Sequence, residues 1–233
     1  SLVRAFSSQL EANESIPVDI RRSIIISQME PLYNSNKKEL VDFWVVWEPD
    51  AFDGRDAEFV NAKPAHDDTG RFVPVFSQGG LEPVIGYNVS GLDDWYVGPL
   101  KSQRDFASEP YDFTYANDNR QVKLVTLSTP IVKKGKSVGV VGTDLDIDGL
   151  MKMVGGLYAN GSKAVLLTGD GTFLVPHSTE AEGKNMKDMP PTLREVFEKA
   201  ASGQAAQGQF TDEATGETMF LAYAPITIGD TGK

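Results

Sequence analysis

The side chains able to do chemistry gather between Leu92 and Ile147, where Trp95, Tyr96, Glu109, Tyr111 and Asp144 stand among strand-like segments and turn residues. Indole and phenol rings beside carboxylates form a set that holds a cationic group, because ring faces attract it and acids pair with it. The chemistry is recognition of a small ligand rather than bond making. Trp95 and Tyr96 follow Asp93 and Asp94 and precede Gly98 and Pro99. That is the pattern of a loop entering a strand, and it favours a pocket wall over a pair of core rings. Asp144 follows VGVVGT at the end of a strand that reads as buried. An unpaired carboxylate there is costly, so Asp144 should have a cationic or hydrogen-bonded partner. Trp44, Trp47 and Phe76 are available as further walls; for Trp44 and Phe76 plain core packing is an equal alternative, and Trp47 in WEP can simply anchor its loop.

Other chemistries find little support. The chain has no cysteine, which removes disulfides, thiolate nucleophiles and cysteine-based metal sites together. His66 and His177 lie far apart without a companion at metal-ligand spacing. GlyAspGly at 169–171 lacks the longer glycine-rich context of a nucleotide loop, and DLDID at 144–148 lacks the glycine and terminal glutamate of a calcium loop. No catalytic residue, cofactor or metal is expected. The net charge of −11 argues against a nucleic-acid partner, which would need clustered Lys and Arg, and modestly favours cationic ligands. No run of about 20 apolar residues is present, so the sequence contains no transmembrane helix of its own. A chain that starts at Ser1 and stops at Lys233, just after FLAYAPITI, reads as an excised domain.

The elements that must position these residues follow from periodicity. Ile16, Ile20, Ile24, Met29 and Leu32 predict an amphipathic helix, with Pro17 in its first turn and Pro31 ending or bending it; an earlier helix is expected at 2–10. ELVDFWVVWEP is rich in β-branched and aromatic residues and predicts a strand stopped by Pro49. The Asp-, Gly- and Pro-dense stretch after it predicts a long loop leading to RFVPVFS. QVKLVTLSTPIV and KSVGVVGTDLDI, joined by LysLysGly at 133–135, predict a hairpin at the sheet centre. GLMKMVGGL closes this unit as a short helix, with Gly155 and Gly156 as stop signals. From Ser162 the order strand, turn, helix and hairpin recurs on a smaller scale. The chain therefore reads as two tandem α+β domains.

Taken in order, WEPDAFDGRDAEF, TGRFVPVF, DDWYVGP, EPYDF, TLSTPI and VGVVGTDLDI resemble the double Cache sensor family. Its members are the extracytoplasmic ligand-binding regions of bacterial methyl-accepting chemotaxis receptors and some sensor kinases. The similarity covers nearly the whole chain, and the ordered set is specific although each motif alone is weak. It implies a long N-terminal helix with two tandem PAS-like (Cache) domains, each a central antiparallel sheet flanked by helices. On this basis residues 1–35 form stalk helices, 36–156 a membrane-distal ligand-binding domain and 157–233 a membrane-proximal domain. It further implies transmembrane helices beyond both ends, a periplasmic location, and a homodimer that passes a small displacement to a cytoplasmic signalling region.

The resemblance places Trp95, Tyr96 and Tyr111 on the distal pocket wall and sets Asp144 against a ligand amino group. One departure changes the expected ligand. Members that bind amino acids carry an Arg two residues before the pocket Trp to fix the carboxylate, whereas this chain has Asp93. An acid there repels what an Arg would clamp. Rings plus acids, with Glu109 nearby, suit a small cationic amine. Arg71 and Arg104 keep an anion site, and with it an amino acid or carboxylate, as the alternative ligand class. A histidine-kinase sensor is an alternative setting, and a docking or dimerisation module built on the Ile-lined helix an alternative role.

Overall fold

Val3, Phe6, Ser7 and Leu10 recur at helical spacing and form the buried face of α1 (Leu2–Glu11). The second helix, α2 (Val18–Asn36), runs through Pro31 and buries Arg22, Ile25, Met29 and Tyr33. Its inward stripe is rotated from the one expected: Met29 is shared, but Ile20 is 47% exposed. Pro31 does not end the helix, because the packing of Met29 and Tyr33 on either side of it outweighs one missing backbone bond. The computed structural model describes residues 2–87, 94–114, 121–155, 164–168, 170–175, 184–211, 216 and 218–224. Contacts divide the chain into a unit reaching Gly149 and another running from Leu150 to Thr227.

The first unit continues with β1 (Asp42–Trp47), β2 (Pro74–Ser77), β3 (Gly80–Pro83), α3 (Asp94–Ser102), β4 (Phe106–Ala107), β5 (Tyr111–Thr114), β6 (Gln121–Lys133) and β7 (Lys136–Asp146); α4 (Ile147–Gly155) follows and crosses the boundary after Gly149. The strands form one sheet in the order β3-β2-β1-β7-β6-β4, with β5 also on β6. The β6–β7 hairpin turns at Lys134 and Gly135, both at positive φ (50° and 78°), the mirror-image turn whose twist matches that of the strands. Asp94 to Ser102 is helical, not the loop-to-strand passage read from Gly98 and Pro99. Tyr96 and Pro99, three apart, are both buried, and burial of that face overrides the local turn signal.

Strand alternation separates the two faces of this sheet. Phe43, Val45 and Trp47 point toward the N-terminal helices and pack with Phe6, Leu10, Ile25, Met29 and Phe72. Trp44 and Val46 point the other way, into a cluster with Val73, Tyr87, Tyr96 and Val140, against which Trp95 and Leu100 of α3 lie.

The second unit contains β8 (Leu166–Leu167), β9 (Phe173–Val175), α5 (Pro191–Ala201), β10 (Ala206–Thr211) and β11 (Thr218–Tyr223). Among its described residues β8 pairs with β9 and β10 with β11, both antiparallel. Helix α5 sits close on the second pair: a Cβ on Gly208 would fall 2.6 Å from Val196 Cγ2. The α+β character expected of both units is present. Among the described residues no helix is long and apolar enough to cross a membrane.

Candidate functional site

Register brings two acids together. β1 and β7 pair with Trp44 opposite Gly142, so two residues further along the same face Asp42 stands beside Asp144. The Asp144 N–H donates to Asp42 Oδ1 at 2.9 Å, and the Thr143 hydroxyl donates to the Asp42 carbonyl. The two acid side chains therefore stand side by side on one face of the sheet. Thr126, opposite Asp144 on β6, donates its hydroxyl to Asp144 Oδ1 at 2.5 Å. That hydroxyl has one proton, so the Tyr111 hydroxyl, 2.9 Å away, donates to Thr126 Oγ1.

The electrostatics of this cluster are those of an uncompensated acid pair. Burial first, and then the neighbouring Asp144 charge, push the Asp42 carboxyl well above its ordinary range. Burial also raises Asp144, restrained first by the bond it accepts from Thr126 and then by Asp42 and Tyr111 nearby. Burial and the Asp144 charge likewise push the Tyr111 phenol up. Both acids are set deep in the protein, yet each keeps part of its surface accessible. Among the described residues neither has a Lys or Arg ion-pair partner. The group this pair lacks is a cation.

The rings stand on the same face. Trp95 meets Trp44 edge to face with centroids 4.8 Å apart, and Ser128 Oγ donates to the Trp95 carbonyl at 2.7 Å, tying α3 to β6. The Trp44 ring lies flat over Gly142, where a Cβ would fall 2.0 Å from Trp44 Cζ2. Glycine at 142 is what lets this ring lie against the strand one step from Asp144.

The remaining candidates separate. The Tyr96 hydroxyl bonds to Glu48 and accepts from Arg71 Nη2 at 2.8 Å, so its polar end belongs to another network. Arg71 also donates to the Trp47 carbonyl from Nε at 2.9 Å and Nη2 at 2.6 Å, and lies 4.7 Å from the Tyr87 ring centroid. These bonds engage its Nε and Nη2. Arg104 and Glu109 are exposed, beyond the end of α3 and between β4 and β5 respectively. Phe76, opposite Phe43, lies in the helix-side core with Trp47, and the structure does not bring either ring to the acid pair. His66 stacks between Phe59 and Phe72, with Nδ1 on the Ala62 carbonyl. Asp93, His177, Gly156 and Gly169 lie outside the described residues. Asp42 was missed, although its signal was present: in DFWVVW it has the same parity as Trp44 and therefore the same face. Among the described residues no group of three His, Cys, Asp or Glu is placed to hold a metal.

Residues 46–152 match the family of methyl-accepting chemotaxis protein-like first PDC sensor domains. The methyl-accepting chemotaxis protein TlpQ of Pseudomonas aeruginosa is 28% identical over 190 residues, covering 72% of this chain and 26% of TlpQ. The chain thus spans about a quarter of that relative's length. Among solved structures, the extracellular domain assigned to the histidine kinase mmHK1S-Z3 is similar at 29% identity and a TM-score of 0.73, covering 96% of this chain and 80% of that one. The ligand-binding domain of the P. aeruginosa amino-acid chemoreceptor PctC, in complex with GABA, shares the fold at 17% identity and a TM-score of 0.52, covering 94% of this chain and 79% of that one.

Proposed function

We propose that this chain, a Cache-type sensor domain of the kind found outside the membrane in chemoreceptors and histidine kinases, binds a small cationic amine and leaves it chemically unchanged. The observation that carries the reading is the deeply set, accessible Asp42–Asp144 pair, bonded to Thr126 and through it linked to Tyr111, with no Lys or Arg partner among the described residues. A bound ammonium supplies the missing charge, with Asp144 facing it and the Trp95, Trp44 and Tyr111 rings around it. Residues 36–156 serve as the membrane-distal ligand domain and 157–233 as the proximal one. In the whole receptor the region is periplasmic, held by flanking helices, and works as a homodimer.

An amino-acid ligand is the second reading, since PctC holds GABA, an ammonium joined to a carboxylate. Arg71, one of the two cations weighed for that carboxylate, is already taken up by Trp47, Glu48 and Tyr96, which favours amines without an acid group. A thermal-shift panel separates the two. Ligand at about 100 times its dissociation constant adds roughly 2.7 kcal/mol of stability. Amines should stabilise the chain, and stabilisation by carboxylates or amino acids but by no simple amine would overturn the ligand class. Asp144→Ala should weaken amine binding by about 2–5 kcal/mol, the cost of removing one partner from a buried, hydrogen-bonded charge pair. Unchanged affinity in that variant would remove Asp144 from the site.

A further inference from the structure

We propose that Asp42 is a second ligand-contacting carboxylate and that the acid pair exchanges a proton for a primary ammonium group, so that the site selects primary amines over quaternary ones. The inference rests on the amine reading above and narrows it. Asp42 and Asp144 are cross-strand neighbours on one face, with the Asp144 N–H on Asp42 Oδ1, so their carboxyl groups lie side by side; two carboxylates that close repel, and one proton held by the pair relieves the repulsion. Among the described residues no ion-paired Lys or Arg supplies a counter-charge. From α2 the Tyr33 hydroxyl reaches the carbonyl of Val41, next to Asp42; from β5 and β6 come the hydroxyls of Tyr111 and Thr126. All are neutral, and burial together with the acids pushes both phenols up, so neither carries charge near neutral pH. The empty pair therefore holds one proton and about one negative charge.

An entering R–NH3+ has three N–H donors in a compact head, enough to bond Asp42 and Asp144 at once. Once it sits between them the shared proton has no place, and it leaves to solvent: protonated site plus R–NH3+ gives the complex plus H+. A quaternary nitrogen offers no N–H, so it can donate to neither acid. Affinity for primary amines should then rise with pH until Asp42 is deprotonated in the empty site, and level off above.

The test is titration calorimetry of the whole 233-residue chain with tyramine, phenethylamine and 1,4-diaminobutane, each beside its N-trimethyl analogue. Each is run at pH 7 in two buffers of different ionisation enthalpy. The expected result is release of a substantial fraction of a proton per primary amine bound, and at least tenfold weaker binding of the trimethyl form. Asp42→Asn, which keeps an acceptor for the Asp144 N–H, should abolish the proton release and weaken the primary amine at least tenfold. Primary amines binding with no proton release, or binding Asp42→Asn as tightly as the parent chain, would overturn the role of Asp42 and leave the amine reading standing. Equal affinity for the trimethyl forms would overturn the selectivity. Binding by none of the amines would overturn the amine reading itself, and this inference with it.

Discussion

The first unit buries carboxylates in two places and treats them in opposite ways. Between α2 and the loop after β1, Arg22 bonds Asp53 through Nε at 2.8 Å and Nη2 at 2.6 Å, Asp56 at 2.7 Å, and the Gly70 carbonyl at 3.0 Å. Its guanidinium lies 4.0 Å from the centroid of Phe59. Burial works to raise the Asp53 carboxyl, but the bonds and charge of Arg22 outweigh it and hold the group below its ordinary range. Across the sheet, Asp42 and Asp144 have each other, two hydroxyls and no ion-paired cation among the described residues, and both are pushed up. A complete charge cluster is a structural joint. An incomplete one, kept beside rings and open to solvent, is the candidate place for the ligand we propose.

The contrast can be broken first at the complete cluster. Arg22→Ala strands two acids in a buried site and should cost about 3–5 kcal/mol, read as a lower midpoint in urea denaturation of the ligand-free chain. A loss well below that would mean the cluster is not the joint its geometry suggests. Gly142→Ala acts on the ring side, where the new Cβ cannot coexist with the present Trp44 position. It should cost about 1–3 kcal/mol by overpacking and weaken amine binding as the ring is displaced, in denaturation and thermal-shift measurements together.

The smallest effect sharpens the contrast most, because its sign is unusual. In ligand-free protein Asp42→Asn should raise the melting temperature at pH 7 by roughly 2–4 °C, the size of about 1 kcal/mol in a domain of this length. Asp42 has a raised carboxyl in the folded state. The stability linked to its proton is thus fully present below the ordinary carboxylate pKa and is lost as pH rises through the raised value. Asparagine has no proton to lose, so the gap between variant and parent should widen from pH 4 to pH 7. Asp53 has the opposite sign: its contribution is present above the ordinary pKa and disappears as pH falls through the lowered one. A gap that narrows with rising pH would show that Asp42 is not held protonated.

Much of the architecture was legible because the signals were local or periodic. The strand in DFWVVW, the hairpin at Lys134 and Gly135, and the helix at Pro191–Ala201 each follow from spacing and turn chemistry within a short window. Trp95 was expected on a loop entering a strand and lies on a helix, since Gly98 and Pro99 signal a turn locally while contacts with the sheet decide for a helix. The phase of α2 was legible only in part. Ile20 looks like a core residue by type and is exposed, whereas Arg22 looks like a surface residue and is buried, because Asp53 and Asp56 come from 31 and 34 residues away to meet it.

Composition and pattern were enough for an acidic, cysteine-free α+β chain, and the resemblance of its ordered motifs added the sensor family, with Trp95, Tyr111 and Asp144 in one stretch of sequence. They were enough because residue type and periodicity are properties of neighbours along the chain. Which carboxylates receive a counter-charge is a property of neighbours in space. Asp42 and Asp144 are 102 residues apart and become partners only through the β1–β7 register, and Arg71 meets Trp47, Glu48 and Tyr96 only once the loop folds over the sheet.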